Sequence, residues 1–161
     1  MTSRFAAIAV LALSLPLAIT SASAANDMAG KWTIERADDA PWANTTDYQP
    51  FRKVVPDYVG KIVSFEAKRI KGPALLACAK PNYEMKDYSA DMLFQGELGE
   101  SEQRGGKKAE DVATALGYKS RPIRTLETGC EGAIDFHMTD TDHAAFALDN
   151  MVYWLARVKA K

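Results

Sequence analysis

Apolar and polar residues alternate along much of the chain, and this alternation predicts strands. Gly30-Lys31-Trp32-Thr33-Ile34-Glu35 sets Trp32 and Ile34 on one face and Lys31, Thr33 and Glu35 on the other, as a half-buried strand requires. Val59 to Ile70 reads as one long strand with Val63, Phe65 and Ala67 on a common face. Gly72-Pro73 turns the chain. Ala74 to Lys80 and Tyr83 to Tyr88 follow as strands around Pro81-Asn82, with Asp91 to Leu98 as a further short one. Strands resume at Ile123 to Thr128, Ala133 to Met138, Ala144 to Leu148 and Met151 to Lys159. Asp149-Asn150, between the last two, has hairpin-turn composition.

Helical spacing is confined to one stretch. Val112, Ala113 and Leu116 share a face over Ala109 to Leu116, and Gly117 is a natural stop. Gly99 to Lys108 has no apolar residue and reads as a solvated loop; residues 38–58, with Pro41, Pro50 and Pro56, read as a long irregular connection. Sequential strands with tight turns favour an antiparallel sheet closed into a barrel, which removes exposed edges. The last strand is apolar on both sides, with Met151, Tyr153 and Leu155 on one and Val152, Trp154 and Ala156 on the other. Such a strand is covered on both faces. The fold class is therefore all-β with minor α: an antiparallel β-barrel carrying one short helix.

The N-terminus changes where this domain is expected to reside. Arg4, the apolar run Phe5 to Ile19 and the small residues Ala22-Ser23-Ala24 form the three regions of a cleavable signal peptide over residues 1–24. Residues 25–161 then form a single domain, expected in the periplasm. The apolar run is short for a membrane anchor, which needs about 20 residues, and no later segment approaches a span. In an exported chain, Cys78 and Cys130 read as one structural disulfide. The balance of 20 Lys+Arg against 21 Asp+Glu disfavours nucleic acid as a partner, because phosphate binding needs surplus positive charge.

Gly30-Lys31-Trp32 at the start of the first strand resembles the Gly-x-Trp opening of the lipocalin-type barrels. The resemblance implies that Trp32 plugs the closed end of the barrel and that Arg157, on the last strand, lies over it. The exported, strand-rich, disulfide-closed domain is also similar in class to the small bacterial inhibitors of lysozyme and related peptidoglycan hydrolases. That likeness assigns no inhibitory residue.

Several constellations carry more than one reading. Asp135-Phe136-His137-Met138-Thr139-Asp140-Thr141-Asp142-His143 gathers His137, Asp140, Asp142 and His143, either as metal ligands across a hairpin or as a polar turn with His137 facing solvent opposite Phe136. The turn is the preferred reading, so no metal and no cofactor are assigned. No nucleophile elbow or phosphate-loop frame is present, and no catalytic residue is assigned. Strand aromatics such as Trp32, Phe65, Phe136, Phe146 and Tyr153 either fill the core or line a ligand cavity. Trp42 and Tyr48, in the irregular segment, either cap the barrel mouth or anchor a partner.

The resulting functional expectation is a non-enzymatic periplasmic binding protein, foremost an inhibitor of a lysozyme-like hydrolase. The alternative is a lipocalin-like carrier of a small apolar ligand. Candidate partner-binding residues are Glu100, Ser101 and Glu102, where acids would meet a basic cleft rim, together with Trp42 and Tyr48.

Overall fold

A computed structural model of the chain describes residues 27–43 and 57–159. The signal-peptide segment, Tyr48 and most of the 38–58 connection lie outside the described residues. Eight strands form one antiparallel sheet: β1 (Gly30–Asp39), β2 (Ile62–Glu66), β3 (Arg69–Lys71), β4 (Glu84–Tyr88), β5 (Ile123–Glu127), β6 (Phe136–Met138), β7 (His143–Leu148) and β8 (Met151–Arg157). Their order is β3-β2-β1-β8-β7-β6-β5-β4, a sheet curled into a half-barrel. Two short helices, α1 (Glu97–Gln103) and α2 (Ala109–Ala115), lie on its outer side.

In β1 the Trp32/Ile34 alternation changes phase at Glu35. Ile34 pairs with Leu155 and Arg36 with Trp154, so Glu35 is the extra residue of a bulge. The bulge reverses the parity. Ala37 joins the inner core, and Arg36 and Asp38 turn outward, where the Arg36 guanidinium lies 4.2 Å from the Trp154 ring centroid and Trp154 Nε1 donates to Asp38 (2.8 Å).

Three predicted strands are corrected. The run from Val59 to Ile70 is a hairpin: the chain reverses at Ala67-Lys68, and β3 folds back so that Ile70 faces Phe65. Lys71 and Arg69 then reach the same Glu66 carboxylate, at 2.6 and 2.7 Å. Ala74 to Lys80 forms a 3-10 turn over Ala74–Leu76 instead, which drives Leu76 into the core before Cys78 bridges to Ile70. Asp91 to Leu98 is another 3-10 turn, Ala90–Met92, followed by the entry to α1. Ala133 to Met138 shortens to the three residues of β6, while the other predicted strands and the helix before Gly117 lie where the patterning put them.

The hydrogen-bonded ladder ends at β3 on one side and β4 on the other. Cys78 follows β3 and Cys130 follows β5, and their disulfide, with Cα atoms 6.1 Å apart, ties the two margins together. The Tyr83 hydroxyl adds a second tie by donating to the Glu66 carbonyl (2.9 Å). Inside the curl, rings contact in series: Phe65 on Phe136 (4.9 Å), Phe136 on Phe146 (5.4 Å), Phe146 stacked on Tyr153 (5.0 Å) and Tyr153 on Tyr58 (5.5 Å). Outside, Val152, Trp154, Ala145 and Ala147 pack beneath Leu93, Phe94, Leu98 and Ala113. This second layer is why β8 is apolar on both faces.

Candidate functional site

The surface singled out by sequence begins in a left-handed turn. Phe94, Gln95 and Gly96 have φ of 56, 59 and 85°, a conformation that only glycine adopts without strain. Neighbouring groups hold it there. The Phe94 ring packs edge-on against His137 (5.0 Å), against Tyr118 (6.3 Å) and beside Trp42 (5.1 Å), and Gln95 Nε2 donates to the Ala133 carbonyl (3.2 Å).

The turn delivers the chain into α1, so the predicted solvated loop from Gly99 is helical as far as Gln103. Leu98 anchors it in the outer core. Gly99 lies so close to Asp91, in the 3-10 turn before it, that a Cβ there would sit 2.9 Å from the Asp91 carbonyl oxygen. Glu100 is exposed and pairs with Arg104 (3.1 Å). Ser101 is half-buried: the Gly106 N–H donates to its carbonyl (2.8 Å), and a Cβ at Gly106 would meet its Oγ at 2.6 Å. Glu102 reaches back to accept the Ala109 N–H (2.8 Å), capping the start of α2 with its side chain. The three residues named together from sequence thus do different things: Glu100 faces solvent, Ser101 lies under Gly106 and Glu102 caps a helix.

Trp42 is brought to this surface. It shares a recess of about 290 Å³ with Glu97 of α1 and with Asp149 and Asn150 of the β7–β8 turn. The Ala40 N–H donates to the Asn150 carbonyl (3.0 Å) and fixes the chain leaving β1 against that turn. Glu97 and Asp149 were not singled out from sequence. Asp149 was visible only as a turn former, and the adjacency of that turn to Trp42 is a tertiary fact.

His137 is not solvent-facing. It is fully buried on the outer side of β6, where burial pushes its pKa down to about 3. Its position follows from β6 lying beside β7, both covered by the helical layer. His143 opens β7 just after the turn, its Nδ1 3.0 Å from both Asp140 oxygens, while Asp140 Oδ1 accepts the Asp142 and His143 N–H groups (2.8 Å each). Among the described residues, no three His, Cys, Asp or Glu side chains converge as metal ligands.

One pair of carboxylates has opposed acidities. Burial first, then the Glu127 charge, raises half-buried Asp135 to about 6, whereas the Tyr88 hydroxyl and Lys86 hold Glu127 below the usual range. The Tyr88 hydroxyl donates to Glu127 at 2.6 Å and Lys86 at 2.9 Å.

At the far end of the sheet, Arg157 lies over Trp32 with its guanidinium carbon 4.3 Å from the ring centroid. It donates to the carbonyls of Ala29 (2.8 Å), Asp27 (2.5 Å) and Thr141 (3.1 Å). The indole N–H of Trp32 in turn donates to the Met28 carbonyl (2.8 Å). Among the described residues, no helix is long and apolar enough to cross a membrane. No protein-family model, curated protein or solved structure matches the chain.

Proposed function

We propose that the protein is a non-enzymatic binding protein of the periplasm that inhibits a lysozyme-like peptidoglycan hydrolase. The observation that carries the reading is the recess where Trp42 meets Glu97 and Asp149, with exposed Glu100 one helical turn beyond Glu97. A partly buried tryptophan with Glu97 and Asp149 on its rim suits a basic protein that places a cationic side chain against an aromatic anchor, in competition with Arg104, which lies 3.8 Å from Glu97 and 3.1 Å from Glu100. Hydrolases of this kind act on anionic cell walls and are commonly basic. The acidic surface steers their encounter, and the pinned turn and helix keep the ordering cost of binding low.

The disulfide between the sheet margins supports an oxidising compartment, in line with the signal-like N-terminus. The alternative, a carrier with ligand inside the curl, gains nothing from the inner face, which is occupied by the ring series from Phe65 to Tyr58. A recess there beside Cys130 measures about 10 Å³, room for a single water.

The test is clearing of a cell-wall suspension by several muramidases, with and without excess protein. Dose-dependent protection supports the reading, and Trp42→Ala and the Glu97→Gln/Glu100→Gln pair should each weaken it without lowering the melting temperature. Full clearing by every muramidase tested would overturn it.

A further inference from the structure

The helical layer leaves part of the outer sheet face open. The outer core lies over β4, β5, β7 and β8 and takes no residue from β2 or β3. Trp32, Val63, Phe65 and Ile70 point into the curl. Lys31, Ile62, Arg69 and Lys71, which alternate with them on β1, β2 and β3, therefore point out.

The register gathers positive charge on this face. Lys31 pairs with Ser64 and Ser64 with Lys71, so two lysines flank one small residue on adjacent strands. Lys61, just before β2, and Lys68, in the β2–β3 turn, extend the charge at both ends of that strand. With Arg69, five exposed cations share the face between the β1 bulge and the β2–β3 turn. Its carboxylates are Glu35, in the bulge, and Glu66, which Arg69 and Lys71 already hold. Among the described residues, no ion-pair partner meets Lys31, Lys61 or Lys68. The helices have the opposite character: α1 and α2 contain five carboxylates and no lysine or arginine. Charge is thus segregated in a chain whose formal net charge is only −1.

Two aliphatic side chains stand among the cations. Ile62 on β2 and Val158 just past β8 are each 42% exposed, on either side of β1. The Val158 N–H donates to the Lys31 carbonyl (2.8 Å), which sets Val158 beside Lys31. Trp32 and Phe65, the aromatic residues of β1 and β2, are buried inside the curl, so these strands offer no ring on which a sugar or base could stack.

We infer that this face docks on an anionic lipid surface. Lys31, Lys61, Lys68 and Lys71 meet headgroup phosphates, while Ile62 and Val158 enter the boundary between headgroups and acyl chains. Docked in this way, the protein turns its acidic helices away from a surface that repels them. The inference uses neither the Trp42 recess nor the inhibitor reading.

The test measures cosedimentation with vesicles of phosphatidylcholine alone and with vesicles of equal parts phosphatidylcholine and phosphatidylglycerol. Both the full chain and residues 25–161 are used, so that the apolar run Phe5 to Ile19 is taken out of account. Binding to the anionic vesicles only, lost in about 0.5 M salt, is expected. Each lost cation should weaken partitioning about fivefold, so Lys31→Gln/Lys71→Gln should weaken it about twentyfold. Lys61→Gln/Lys68→Gln replaces that pair if it lowers the melting temperature. Ile62→Ser/Val158→Ser should weaken binding with unchanged salt dependence. Lys107→Gln/Lys108→Gln, between the helices, removes the same charge elsewhere and should leave binding intact. No binding of residues 25–161 to anionic vesicles, or unchanged binding by the lysine pairs of the face, would overturn the inference. So would an equal loss in the Lys107/Lys108 pair, or full binding by Ile62→Ser/Val158→Ser, which would point to a polyanion without an apolar phase.

Discussion

The backbone N–H of Phe94 donates to Nε2 of His137 across 2.9 Å, and this bond fixes both a turn and a tautomer. With Nε2 accepting, the ring proton sits on Nδ1 and is donated to Thr125 Oγ1, also at 2.9 Å. Protonating Nε2 would break the bond that holds Phe94 at a positive φ and place an unmatched charge between Tyr88 and Phe94. The folded pKa of about 3 lies below the ordinary 6.5, so between these values the unfolded chain binds a proton that the native state refuses. The contribution is complete above 6.5 and is lost as pH falls toward 3, with a slope of about 1.4 kcal/mol per pH unit. Asp135 works the other way: its pKa is raised from 3.8 to about 6, so its contribution is complete below 3.8 and lost as pH rises through 6. The two must be separated by difference. His137→Gln keeps an acceptor for Phe94 but does not titrate. Urea unfolding from pH 4 to 7 should therefore give a slope of stability against pH that is more positive in wild type than in the variant by nearly one proton, the wild type staying nearly level up to pH 6 where the variant falls. Parallel pH profiles would refute the assignment.

Trp32 and Arg157 give a second prediction. Truncating a fully buried indole removes a large packing surface, so Trp32→Ala should cost about 3–5 kcal/mol. Arg157→Lys should also destabilise, because an ammonium cannot reproduce a planar fork that stacks on the ring while reaching three carbonyls. A double-mutant cycle in guanidinium chloride should find a Trp32–Arg157 coupling of about 0.5–2 kcal/mol. No coupling would mean that Arg157 acts only as a backbone clamp.

How legible these features were in the sequence depended on whether local patterning or tertiary contact decided them. The two-faced β8, the Gly117 stop and the Asp149-Asn150 turn carry their cause in local residue type. Helix α1 does not. Glu97-Leu98-Gly99-Glu100-Ser101-Glu102-Gln103 has a single apolar residue and an internal glycine, so no stripe marks it. It forms because Leu98 has an outer core to enter and Gly99 can approach Asp91. The same hidden layer buried His137. The two-faced β8 announced a cover, but not how far it reached across the sheet. The Trp42 recess was out of reach because it joins the ends of three elements distant in sequence.

The disulfide joins sheet margins that the ladder leaves apart, and this sets its expected effect. The linked cysteines are 52 residues apart, and a loop of that length is worth about 4 kcal/mol in chain entropy. The double change Cys78→Ser/Cys130→Ser should lower stability by about that amount. Hydrogen exchange should accelerate first in β3 and β4, while β1, β7 and β8 stay protected. Uniform acceleration across all eight strands would show that the bond supports the whole sheet rather than its margins. Thiol labelling of the native protein should find no free cysteine.

The β7–β8 turn offers a stabilising change. Asp149 and Asn150 have φ of 52 and 56°, the twist that a two-residue hairpin requires. Glycine adopts this conformation more readily than asparagine, so Asn150→Gly should raise stability by up to about 1 kcal/mol in thermal unfolding. A loss would mean that the Asn150 side chain supports the neighbouring Trp42 recess in a way its backbone geometry does not reveal.

The acidic residues of α1 make separable predictions because they are differently engaged. Glu100 is exposed and pairs only along its own helix, so Glu100→Gln should alter stability by less than about 0.5 kcal/mol. Glu102 accepts the first N–H of α2, so Glu102→Ala should cost about 0.5–2 kcal/mol, as lost caps do. Ser101→Trp should disturb the closure against Gly106 and destabilise further, because the Gly106 backbone lies directly against the Ser101 side chain. If the proposed inhibition depends on the acidic surface, Glu100→Gln should weaken protection in the clearing assay with an unchanged melting curve. Glu102→Ala should then weaken it only in proportion to the unfolded fraction. Glu100→Gln that inhibits as well as wild type, alongside Trp42→Ala that does not, would confine the contact to the recess. Equal inhibition by both would remove α1 and Trp42 together from the binding surface.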